Sequence, residues 1–65
     1  MDETAIRSTI HDLNNALTTV MGSAELIVAE TPSGSQAARD AADIVSAAKV
    51  AREMVRKLRV QLDLT

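Results

Sequence analysis

Hydrophobic residues recur along this chain in two long stripes with a single break between them. In the first stripe Ile6, Ile10, Leu13, Leu17, Val20, Ala24 and Ile27 follow one another at alternating steps of four and three. In the second, Ala41, Ile44, Ala48, Ala51, Val55, Leu58 and Leu62 alternate in the same way, starting on three. Alternating steps of three and four return to one side of an α-helix, whereas a strand would need steps of two. The pattern predicts two helices, over about residues 4–29 and about 36–62, each about 38 Å long at 1.5 Å per residue.

The break is equally legible. Glu30-Thr31-Pro32-Ser33-Gly34-Ser35 gathers the only proline, one of the two glycines and three hydroxyl residues. Proline cannot continue a helix, and it pushes the residue before it out of helical geometry. Ser33, with Gln36 three positions on, reads as a capping box opening the second helix; Ser35 is the rival cap. A loop at about 30–35 suits an antiparallel helical hairpin.

The stripes are wider than one seam. Ala16, Met21 and Val28 flank the first, and Val45 and Met54 flank the second. One hairpin buries the seam and leaves the flank wet, whereas two hairpins packed together bury both. Composition points the same way. The chain has 65 residues, no cysteine and one histidine, so neither a disulfide nor a zinc site of its own can hold it together. A core this small calls for association. The expected fold class is all-α: one domain over residues 1–65, an antiparallel helical hairpin forming a homodimeric four-helix bundle.

Charge adds one complication. The formal net charge is −2, but residues 1–35 hold five acids and one base while residues 36–65 hold four acids and six bases. The basic cluster is Lys49, Arg52, Arg56, Lys57 and Arg59. We read it as cations opposing the negative end of the second helix's dipole, not as a nucleic-acid surface, because the whole chain is acidic. The longest apolar runs are a few residues, against roughly 20 for a membrane span. With no signal peptide visible, a cytoplasmic location without membrane contact is expected.

The chemistry centres on His11, the only histidine. One step round the helix from Ile10, it should sit on the shoulder of the bundle with its ring in solvent. Asp12 lies a further step out, and Asn15 stands one turn beyond on the histidine's side. A neutral imidazole can attack a phosphoryl group once its attacking nitrogen is free of a proton. A carboxylate such as Asp12 can hold or remove the proton on the other nitrogen, and the Asn15 amide can donate to a phosphoryl oxygen. No glycine-rich phosphate loop is present, and no metal site is expected. On spacing alone, a lone surface histidine is ordinarily inert. Gly22, mid-helix, is a tolerated glycine or serves close helix packing, or else it leaves room for a partner's backbone or side chain to approach.

A resemblance alters that balance. His11-Asp12-Leu13-Asn14-Asn15-Ala16-Leu17-Thr18 closely resembles the H-box of sensor histidine kinases, in the variant with His-Asp, a hydrophobic residue and Asn-Asn. The likeness continues through Val20-Met21-Gly22-Ser23-Ala24-Glu25-Leu26-Ile27. The second helix is similar to the family's second helix, more generically, at Ala47-Ala48-Lys49-Val50-Ala51-Arg52 and Val55-Arg56-Lys57-Leu58. The resemblance implies the dimerisation and histidine-phosphotransfer (DHp) module of a two-component kinase. His11 would be the phosphoacceptor, Asp12 the adjacent acid/base, and Asn15 the residue that positions the phosphoryl group or assists dephosphorylation. A response-regulator receiver domain would dock around Asn14, Thr18, Met21, Gly22 and Glu25. ATP and Mg would be held by a separate histidine-kinase catalytic domain, with no cofactor bound by this chain. Many members carry a proline five residues after the histidine; Ala16 stands there, so a straighter helix is expected.

The chain as given carries no nucleotide boxes. It is expected to be an excised domain or a stand-alone module, unable to phosphorylate itself. Two other readings compete: a phosphorelay intermediate charged from a regulator's aspartate, and a purely structural dimerisation hairpin with an idle histidine. Against the last, Asp12 and the Asn14-Asn15 pair are poor choices for a simple helical scaffold.

Overall fold

A computed structural model describes residues 2–62. Two α-helices, α1 (Glu3–Glu30) and α2 (Gln36–Gln61), pack along their lengths into a helical hairpin. The rod measures 46 × 16 × 16 Å. Neither helix is long and apolar enough to cross a membrane.

Local chemistry sets each helix end. Asp2 caps α1: its backbone is extended and its carboxylate accepts from the Ala5 N–H at 2.7 Å. Asp2 and Glu3 also place negative charge against the positive end of the helix dipole. At the other end, Thr31 is extended, as a residue before proline should be. Its hydroxyl donates to the Ile27 carbonyl at 2.7 Å, occupying one of the acceptors that a helix end leaves open. The chain then turns, with the Ser35 N–H donating to the Pro32 carbonyl at 3.1 Å and Gly34 at φ +79°. Positive φ at the third residue of such a turn is the reason for glycine there.

Ser35 caps α2, accepting from the Ala38 N–H at 3.1 Å. The capping box expected from Ser33 therefore does not form. The turn uses Ser33 as a corner, which brings the serine two positions later to the helix mouth. Gln36, the residue that would have closed the box, instead donates to Asp40 at 2.7 Å. The helix α1 runs unbroken through Ala16.

The core is narrow. Ile10, Ala24, Ala38, Ala41, Ala48 and Val55 are buried, and Ile6 and Leu17 pack against the Ile10–Val55 pair. The expected seam divides here. Met21 and Val45, taken as flank, are half-buried, whereas Leu13, Val20 and Ile27 on α1 and Ile44 and Leu58 on α2 are exposed. The hairpin is rotated so that the Ile10–Leu17–Ala24 row faces α2, and the row seven residues apart through Leu13, Val20 and Ile27 faces away. The chain exposes 4699 Å², where a compact monomer of this size exposes roughly 4,000 Å².

Candidate functional site

At about 100° per residue, the helix carries His11, Asn14, Thr18, Gly22 and Glu25 along one side of the core row. Leu13, Val20 and Ile27 run along the other side. The hairpin thus has a polar long side that bears the histidine and an apolar long side that is exposed.

His11 stands in the middle of an uninterrupted helical stretch, with 72% of its side chain exposed. Ile10 is the reason. Its burial against Val55 fixes the rotation of α1, and the next residue along must then emerge from the groove edge. Asp12, also well exposed, brings Oδ1 to 3.6 Å from the imidazole Nδ1. Asn15, one turn on, brings its amide Nδ2 to 3.5 Å from the same Nδ1. Both neighbours address one ring nitrogen, and Nε2 takes part in neither contact.

The two contacts ask for opposite tautomers. Asp12 can only accept, so it favours a proton on Nδ1 and a lone pair on Nε2. The Asn15 amide as placed donates, and so favours a bare Nδ1. Both separations are long for a hydrogen bond, so the carboxylate and the amide compete loosely for Nδ1. Rotating the Asn15 amide by 180° would present its oxygen instead and bring it into line with Asp12. With Nδ1 protonated, Nε2 carries the free lone pair and is the nucleophilic nitrogen.

The side chains expected to meet a partner are distributed unevenly. Asn14 is half-buried and faces α2 across a groove. Thr18 is exposed, but its hydroxyl donates to the Asn14 carbonyl at 3.0 Å; Thr19 does the same to Asn15 at 3.1 Å. Each hydroxyl is thus occupied by its own helix, which bends a helix slightly. Gly22 is exposed, and a Cβ built there would meet nothing within 4 Å. Close packing within the hairpin is therefore not what glycine serves at this position. Met21 is half-buried, an element of the helix contact as much as of any outer surface. Glu25 is exposed at the edge of an apolar groove that it shares with Val28, Ala29, Ala42, Val45 and Ser46.

The second helix contributes more to this side than its sequence suggested. Lys49, Arg52, Glu53, Arg56 and Arg59 line a groove of about 330 Å³ with Asn14 opposite and Val55 at its floor. Arg59 also lines a neighbouring groove with Arg7, Ser8, Ile10 and His11. Two of these cations have acidic partners on their own helices: Arg56 bonds Glu53, and Arg7 bonds Glu3 at 2.9 Å. The guanidinium of Arg56, by hydrogen bond first, holds the Glu53 carboxyl below its ordinary range. Among the described residues, no group of three or more His, Cys, Asp or Glu gathers where it could hold a metal ion.

Comparison of the chain with family models, with curated proteins and with solved structures found no match.

Proposed function

We propose that this chain is the dimerisation and histidine-phosphotransfer module of a two-component sensor kinase, acting in the cytoplasm. His11 receives a phosphoryl group from ATP held with Mg on a separate catalytic domain and passes it to an aspartate of a response-regulator receiver. One observation carries the reading: His11 is 72% exposed and presents only Nδ1 to Asp12 and Asn15. That arrangement suits the first step. Asp12 keeps the proton on Nδ1, the Nε2 lone pair attacks phosphorus, and the bond to the leaving oxygen breaks. The H-box resemblance of residues 11–18 supports the same assignment.

The homodimeric four-helix bundle belongs to this proposal. Leu13, Val20 and Ile27 together with Ile44 and Leu58 leave a continuous apolar side, and Leu13, Leu17, Met54 and Leu58 line a groove along it. A second copy laid on this side would bury it while His11, on the opposite side, stayed open to other proteins.

The test is phosphorylation by a histidine-kinase catalytic domain with ATP. Wild type is expected to acquire phosphate that is labile in acid and stable in base, and His11→Gln to acquire none while keeping its helicity and mass. Equal labelling of His11→Gln and wild type would refute the assignment.

A further inference from the structure

A counterweight to the helix dipole is one reading of the basic cluster on α2. The structure limits that reading to a single residue. Only Arg59 lies in the last turn of α2, and the dipole's influence fades within about one turn. Lys49 and Arg52 are two or more turns from the helix end, where they oppose nothing on their own helix. Yet they stand in one row with Arg56 and Arg59, at steps of three, four and three, spanning about 15 Å of helix. The row forms one wall of the groove whose other wall holds Asn14, and its last member reaches the groove of His11.

We infer that the Lys49–Arg52–Arg56–Arg59 row is a docking edge for an acidic protein surface, and that it guides a carboxylate-bearing partner toward His11. The inference rests on the proposed function and deepens it: the partner's chemistry is specified as a folded domain with several carboxylates around the one that reacts. A row of about 15 Å is longer than a single phosphoryl group requires, so it fits an extended anionic surface. Nucleic acid fits less well. The chain has no aromatic residue on which a base could stack, and its net charge is −2. The one acid that lines the groove, Glu53, is held by Arg56 on the same wall, so the row keeps a net positive charge for a partner's carboxylates. Complementary charge of this kind chiefly raises the rate of encounter and fixes the register of docking. At the end of the docked path, a partner carboxylate oxygen attacks phosphorus on phospho-His11. The P–N bond breaks, its electron pair returns to Nε2, and the ring leaves neutral with its proton on Nδ1.

A donor that requires no docking separates the inference from the reading beneath it. Phosphoramidate can charge His11 directly: Nε2 attacks phosphorus, the donor P–N bond breaks and ammonia leaves. The charged 65-residue chain is then mixed with a panel of purified receiver domains at low and high salt. Wild type is expected to charge and to transfer to at least one acidic receiver, faster at low salt. The double variant K49E/R52E should charge as wild type does but transfer about tenfold more slowly, with the deficit shrinking at high salt. K49Q/R52Q should fall between, which covers the case in which the reversed charges perturb folding. Lys57→Glu, whose lysine lies outside the groove, should match wild type. Transfer by K49E/R52E and K49Q/R52Q at the wild-type rate would overturn the docking edge and leave the phosphotransfer reading standing. Charging without transfer to any receiver would remove both. Salt-dependent binding of a 20-base-pair DNA duplex, lost in K49E/R52E, would also overturn the acidic-protein assignment.

Discussion

The two long sides of this hairpin share a floor and little else. Val55, buried between the helices, lines the apolar groove with Leu13, Leu17, Met54 and Leu58 on one side and the basic groove with Asn14, Arg52 and Arg59 on the other. The apolar side presents side chains that gain by leaving water; the polar side presents groups that act only when something meets them there. The contrast teaches that a narrow core of Ile10, Val55 and four alanines leaves both flanks for other molecules. Residues one position apart, such as Ile10 and His11, are thereby given to different tasks.

The largest expected effect comes from placing charge on the apolar side. Leu13 and Leu58 are 45% and 41% exposed in the single hairpin, so Leu13→Glu and Leu58→Glu cost little there. Across a dimer interface each would bury a carboxylate without a partner, at a cost of several kcal/mol per site. If the proposed dimer forms, both variants are expected to sediment as monomers at concentrations where wild type sediments as a dimer, with melting temperature lowered accordingly. The equivalent change on the polar side, Thr18→Glu, should leave the mass unchanged. A dimer that survived Leu58→Glu and Leu13→Glu together would mean that the apolar side is not the self-contact.

Much of this division could be read in the residues, and the rest failed for a definite reason. The three-four spacing and the Pro32–Gly34 break were enough for two antiparallel helices, because both are local in origin. Which half of the stripe faces the other helix was not legible. A stripe that wide tolerates a rotation of some tens of degrees, and only packing between α1 and α2 selects Ile10 and Met21 over Leu13 and Val20. The cap on α2 went to Ser35 rather than Ser33 because the turn's positive φ at Gly34 decides which hydroxyl reaches the helix mouth. Exposure of His11 followed from its place beside Ile10. The basic groove is hidden as long as Lys49, Arg52, Arg56 and Arg59 are weighed as a C-terminal cluster. Their common spacing of three and four, applied to polar residues as it had been to apolar ones, would have placed them on one side of the helix.

A smaller effect sharpens the polar side. Glycine inside a helix costs about 0.5–1 kcal/mol relative to alanine, and nothing in the hairpin stands near a Cβ at Gly22. Gly22→Ala should therefore raise stability by about that amount, visible in urea or thermal unfolding. If a receiver domain approaches α1 closely there, the same substitution should slow transfer from phospho-His11 while leaving its charging by phosphoramidate unchanged. Gly22→Ala that stabilised the chain and left transfer intact would show that the glycine is not reserved for a partner.

The smallest effect tests whether the two sides are independent. Glu53 is the one acid lining the basic groove, and Arg56 holds it by a side-chain hydrogen bond that lowers its pKa. Because that pKa is lower in the folded chain than in the unfolded one, whatever the pair adds to stability is present above the ordinary carboxylate range. It fades as pH falls through the lowered value. The pair is exposed, so water and salt screen it, and Glu53→Gln should leave the unfolding midpoint at pH 7 nearly where it was. The groove should change more than the fold does. Losing the carboxylate releases Arg56 to the row and raises the positive charge between Lys49 and Arg59 by one unit. Transfer to an acidic receiver should then quicken at low salt, and the gain should vanish as salt approaches the molar range, where the screening length is about 3 Å. Sedimentation should report the same mass as wild type, since Leu13, Val20 and Leu58 lie on the other side of Val55. A change in mass on Glu53→Gln would mean that the basic groove takes part in self-association, and the separation of the two sides would no longer hold.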